Sequence, residues 1–282
     1  MHESRPYNES TMSALKALLH AISDNPLDSF ALLVFFFCWL GYEPFLQKIS
    51  KKSGFIVKDL SIVRSAWMRE ATLREIKLFD SNLMAHAVNS AANFSSANLL
   101  LIAAVGGVLF SGQVPLTTAK NLGFDVSTVL LFQMKLGLIV ICLVRGLLDF
   151  IWATRQMNYT AAALGSLPDR MDERTGREFA AAITNIVEPA MSSFSQGVRG
   201  YYFALASAAW LFGPVPLILA SVGAIILLGW RQSRSQSARG IRRLRELLEE
   251  HPYPTTPREF DTAPAQNSDK NAALHNSQSK MT

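Results

Sequence analysis

The sequence predicts an all-α, polytopic helical membrane protein with cytoplasmic amphipathic helices, and three observations carry that expectation. Four long apolar runs, at 27–46, 92–112, 129–153 and 201–230, are separated by polar segments. Only 17% of the 282 residues are charged, where a soluble chain carries about 25%, and the mean hydropathy is +0.18. Those charges gather between 47 and 80, between 155 and 199, and after 231. This pattern argues against a soluble enzyme, a disulfide scaffold and a disordered chain. Cys38 and Cys142 lie within apolar runs and offer neither a metal-ligand spacing nor a disulfide framework. The formal charge of +5 reads as basic loops held at the cytoplasmic face of a membrane, not as a nucleic-acid footprint.

Residues 1–26 read as an N-terminal extracytoplasmic segment. Arg5 and Lys16 stand against Glu3, Glu9 and Asp24, unlike the basic start of a secretory signal, and Leu15–Ile22 suits a short interfacial helix. The first run, 27–46, has the length of a bilayer core, with Asp28 placed to favour a helix N-terminus. In the second run, 92–112, Ala103, Gly107 and Ser111 fall on one helical face. They read first as a packing surface within the monomer and alternatively as a dimer seam. The third run, 129–153, carries Lys135, Arg145 and Asp149 as intramembrane charges. Lys135 lies near the outer end and is expected to snorkel to the headgroups, while Arg145 and Asp149 are four apart and close enough to pair.

The fourth run, 201–230, is too long for one straight span and holds Gly213-Pro214-Val215-Pro216 near its middle, so a helical hairpin is expected. Counting Lys and Arg decides between topologies. Five crossings with the N-terminus outside place 19 inside and 3 outside, whereas the alternative of four places 13 inside and 9 outside. The membrane domain is therefore 27–230, with cytoplasmic segments at 47–91 and 154–200.

Within 47–91, Ser61–His86 lacks Gly and Pro and reads as one amphipathic helix. In 154–200, a Pro168-Asp169 turn precedes a helix from Thr175 into the 190s, with a kink or break expected at Pro189. Residues 231–250 read as a basic juxtamembrane helix whose six Arg suit anionic headgroups, and 251–282 as a disordered tail. The five His are scattered. No H-E-x-x-H, nucleophile elbow, phosphate loop or dinucleotide fingerprint occurs, so no catalytic residue, metal site or cofactor is expected and the chain reads as non-enzymatic.

Four patches then stand out together: Leu27-Asp28 leading to Trp39-x-Gly41-Tyr42; Arg64-x-x-Trp67-Met68 with Arg74-Glu75 and Asp80; Phe150-x-Trp152 with Arg155-Gln156-x-Asn158-Tyr159; and Phe194-x-x-Gly197-Val198-Arg199-Gly200-Tyr201-Tyr202-Phe203. In this order and spacing the chain resembles the bacterial and plant membrane family of domain of unknown function 599, from about Leu27 to Arg234. It departs from the family pattern at Ala71 and at Ile76-Lys77. The resemblance implies a multi-span helical protein of the bacterial cytoplasmic (inner) membrane and supplies no activity.

The patches bring Arg64, Trp67, Arg74, Asp80, Trp152, Arg155, Asn158, Tyr159, Arg199 and Tyr201 to the cytoplasmic side. Such Arg-, Trp- and Tyr-rich sets suit charge-assisted hydrogen bonds and interfacial anchoring. The expectation is one polar cluster beneath the spans of a scaffold or interaction protein, partnered by the lipid bilayer and its anionic headgroups, and forming a homo-oligomer. The rival is an oligomeric channel or transporter lined by Lys135, Arg145 and Asp149, with Glu43 at its mouth.

Overall fold

A helical pair sits at the centre of the architecture, with three further helices packed directly against it. The computed structural model describes residues 25–50, 56–111, 114–125, 128–168 and 171–251. The expectations for residues 1–24, for the Glu43 side chain and for the tail from 252 lie outside these. The described helices are α1 (Pro26–Ser50), α2 (Ile56–Leu73), α3 (Leu78–Phe110), α4 (Val114–Asn121), α5 (Val129–Gly165), α6 (Glu173–Ala208), α7 (Pro214–Ser233) and α8 (Gln236–Glu250), with a 3₁₀ turn at Ala209–Phe212. The chain forms one compact unit to Arg245 and a second from Glu246.

Three of these elements are long and apolar enough to cross a membrane: α3, α5 and the stretch opened by α7. Of the apolar stretch in α5, 44% is buried, against 6% in α3, so α5 is central and α3 peripheral. The exposed apolar side chains include Phe37, Leu100, Phe110, Leu205 and Leu219, each more than two-thirds exposed. Water would penalise such a surface, whereas lipid tails solvate it. Together these features support a multi-pass membrane protein.

The long helices run between two ends. At the upper end, Asp28 opens α1 and accepts from Trp210 Nε1, and the Asp125 amide donates to the Leu211 carbonyl. Thr128 caps α5 there, its side chain accepting from the Leu131 amide. At Gly213, with φ of +119°, the chain reverses. Pro214 and Pro216 fall in the first turn of α7, where backbone donors lack intrahelical partners in any case, so neither costs a hydrogen bond. Helix α7 returns alongside α6, far enough for Arg231 Nη1 to donate to the Tyr202 hydroxyl. The chain thus turns back on itself within the fourth apolar run.

Glycines set the α5–α6 crossing. A Cβ on Gly197 would stand 2.7 Å from the Phe150 ring, and one on Gly200 would stand 3.2 Å from the Gly146 backbone. Here the missing side chains let two backbones approach. Two apolar cores result. One joins α1, upper α5, upper α6 and α7; the other joins α2 to the lower parts of α3, α5 and α6 through Met68, Met84, Met157, Ile183 and Val187.

Several expectations are corrected. Ser61–His86 is two helices broken at Arg74–Lys77, because Asp80 is drawn into the interior to meet Trp67 and Arg74. Helix α6 runs unbroken through Pro189, whose neighbours Val187 and Ala190 are buried and hold the helix against the core. Ala103, Gly107 and Ser111 are exposed, so that face packs nothing within the monomer.

Candidate functional site

The lower half of the molecule carries the polar residues, in separate groups. From α2, Arg64 reaches α6 and grips Glu188 with both arms of its guanidinium, Nε–Oε1 at 2.9 Å and Nη2–Oε2 at 2.7 Å. Such a fork matches a carboxylate in geometry as well as charge. One turn on, Trp67 Nε1 and Arg74 Nη1 both donate to Oδ1 of the fully buried Asp80, at 2.7 and 2.5 Å. Lys77 donates to the Pro168 carbonyl and ties the α2–α3 connection to the end of α5. At the other end of α2, buried Asp59 faces Arg245 at 3.2 Å and Arg242 at 4.0 Å. Two of the six arginines expected to face headgroups therefore dock α8 onto α2.

The expected single cluster does not form. Trp67, Arg74 and Asp80 come together, with Arg64 nearby on the same helix. Trp152, Arg155 and Tyr159 make a separate ladder on the exposed face of α5, where Arg155 Nε donates to the Tyr159 hydroxyl and lies 6.0 Å from the Trp152 ring. Asn158 is exposed on that helix. Tyr201 donates to the Phe94 carbonyl and joins a ring cluster with Phe94 and Phe150. The reason is geometric: α5 is one continuous helix from Val129 to Gly165, and Trp152, Arg155 and Tyr159 lie on its exposed face.

The intramembrane charges divide likewise. Lys135 does not snorkel. It is fully buried, donating at 2.9 Å to both the carboxylate and the carbonyl of Asp125 and lying 5.9 Å from the Trp210 ring. A buried cation needs such a partner, and Asp125 supplies it from just beyond the span. Arg145 and Asp149 do pair, Nε to Oδ2 at 3.5 Å, with Arg145 half exposed and Asp149 mostly covered.

That pair opens onto a cleft of about 80 Å³ between α1, α5 and α6, lined also by Trp39, Tyr42, Gln196 and Arg199. Arg199 donates from Nε to the Ser195 carbonyl, and its guanidinium sits 5.9 Å from the Tyr42 ring. Gln232 of α7 in turn donates to the Tyr42 hydroxyl. Among the described residues that line it, two guanidiniums and one carboxylate leave this cleft cationic. Among the described residues no three His, Cys, Asp or Glu side chains gather as a metal site.

Sequence reasoning missed Glu188, Asp59, Asp125 and the part played by Tyr42. The available signal for Glu188 was a lone acid amid Ile183, Val187, Ala190 and Met191, where an unpartnered carboxylate would be costly.

A family model described as "Protein of unknown function, DUF599" matches residues 30–237. No curated protein and no solved structure matches the chain.

Proposed function

We propose, from the premise that this chain belongs to the DUF599 family, that it is a five-pass protein of the bacterial cytoplasmic membrane acting as a non-enzymatic scaffold. The observation that carries this reading is how the charged groups are used. Arg64–Glu188 joins α2 to α6 and Asp59 with Arg242 and Arg245 joins α2 to α8, while Arg74–Asp80 ties the α2–α3 connection to α3 and Lys135–Asp125 ties α5 to the loop before it. Groups engaged in this way fix the relative positions of helices, which suits a rigid platform for a partner. The reversal at Gly213 supports an α6–α7 hairpin as crossings four and five, which puts the basic segments on one side.

The channel reading has less to build on. Arg145 and Asp149 meet each other at a cleft with room for about five waters, at about 15 Å³ for each. Reporter fusions and liposome flux test the proposal together. Reporters near residues 120 and 235 should report outside and inside respectively; an outward reporter at 235 refutes five crossings. Solute flux by purified protein that Arg145→Ala abolishes would replace the scaffold with the channel.

A further inference from the structure

The cleft between α1, α5 and α6 sits at an informative depth. Arg145 follows Val129, at the upper end, by 16 residues, about 24 Å along a helix rising about 1.5 Å per residue. The hydrocarbon core of a bilayer is about 30 Å thick. With the upper end at one boundary, the backbone at Arg145 lies about 6 Å inside the other, a gap that a long guanidinium side chain spans to reach the phosphates. Trp39 and Tyr42, residue types enriched at that level, form the α1 wall.

The chemistry of the cleft is incomplete without an anion. Arg145 is half exposed beside Leu148 and Val144, themselves open, on a helix face that lipid tails would cover. Its contact with Asp149 is long, Nε to Oδ2 at 3.5 Å. Arg199 is held by a carbonyl and an aromatic face, and no carboxylate among the described residues forms an ion pair with it. A guanidinium at the edge of hydrocarbon is costly unless an opposite charge meets it. Gly200 lines the cleft beside Arg199.

We propose that this cleft binds the phosphodiester of an anionic glycerophospholipid of the inner leaflet, Arg145 and Arg199 donating to its oxygens. One phosphodiester carries the single negative charge that two guanidiniums and one carboxylate lack, and guanidinium forks fit phosphate oxygens. The volume of about 80 Å³ admits a phosphate-sized group while the acyl chains remain outside, against Phe37 and Leu40. An ammonium headgroup gains less, because Asp149 already faces Arg145. The proposal rests on the five-pass reading for the leaflet it names.

The test is native mass spectrometry of the full-length chain released from micelles, titrated with phosphatidylglycerol and, separately, phosphatidylcholine. The wild type should hold one phosphatidylglycerol at least tenfold more tightly than phosphatidylcholine. Arg199→Gln, and the charge-balanced pair Arg145→Gln with Asp149→Asn, should each weaken that retention about tenfold. Arg199→Lys should lose about threefold, keeping charge without the fork, and serves if the glutamine variant fails to fold. Arg174→Gln, on an 86% exposed side chain, should change nothing. Equal retention by wild type, Arg199→Lys and the double variant overturns the site. Displacement of the lipid by inorganic phosphate at equal concentration overturns the lipid as its source. An outward reporter at residue 235 with retention intact would reject the topology and leave the site standing.

Discussion

Gly197→Ala adds one methyl group where the structure leaves no room for it. The new carbon would lie 2.7–2.9 Å from three atoms of the Phe150 ring. Carbon contacts settle at about 3.5 Å or more, so ring or helix must retreat by about 0.8 Å. The ring cannot simply step aside. It is fully buried, stacked on Phe94 at 5.5 Å, and edged by Phe194 and Tyr201 at 5.8 Å each. Overpacking of this kind costs about 1–3 kcal/mol. Against it stands a helix-propensity gain of about 1 kcal/mol for Ala over Gly, which would mask part of the loss. Gly107→Ala supplies the correction, since a Cβ there meets nothing within 4 Å and the propensity gain is the same. The difference between the two variants isolates the clash, and Gly197→Ala should be the less stable by about 1–3 kcal/mol. Thermal unfolding of both in one detergent measures it. Phe150→Leu in the Gly197→Ala background should recover part of the loss, a coupling that additive effects cannot produce. If Gly197→Ala melts at or above Gly107→Ala, the close-packed crossing of α5 and α6 is wrong.

Three further outcomes are expected. Arg74→Ala removes the cation from fully buried Asp80 and should cost about 3 kcal/mol or more, whereas Arg174→Ala on an exposed face should stay within about 0.5 kcal/mol; equal yields of monodisperse protein on gel filtration would show that Asp80 does not need its partner. Asp125→Ala strands Lys135 in the interior and should lower the melting temperature more than the double change Asp125→Ala with Lys135→Leu; a single variant no worse than the double removes the pair from the account. Asp172 caps α6, and its bonds from the Thr175 side chain and amide hold its carboxyl below the ordinary 3.8. A depressed carboxylate stabilises the fold above its unfolded value and loses that contribution as pH falls through the lower folded one, so Asp172→Ala should be less stable than wild type at neutral pH, with the gap closing below 3.8. A gap unchanged in strong acid would contradict that.

Parts of the site were legible because they depend on neighbours along one helix. Arg145 and Asp149 pair at the expected four-residue spacing. Arg155 meets Tyr159 for the same reason. The hairpin at Gly213 could be read from residues whose backbone preferences act locally, and the resemblance read over Leu27–Arg234 agrees with the family match at 30–237. Partners across helices were not legible. Asp80 draws Trp67 and Arg74 together by ending α2 at Leu73, in a segment with no Gly or Pro to announce a break. The buried partner outweighs the helix propensity there.

By itself the sequence determined an all-α chain with apolar helices of membrane-spanning length, the place where its last run turns, and its family. These follow from hydrophobicity summed over about 20 residues and from Gly and Pro at one turn, neither of which needs a distant contact. The tertiary structure alone decided that Lys135 is buried on Asp125, that α6 continues through Pro189, that Glu188 receives Arg64, and that Tyr42, Arg145 and Arg199 share a cleft. Each depends on the distance and rotation at which two helices cross. At the α5–α6 crossing that is set by close contact at Gly146, Gly197 and Gly200, and no periodicity along a single helix encodes it.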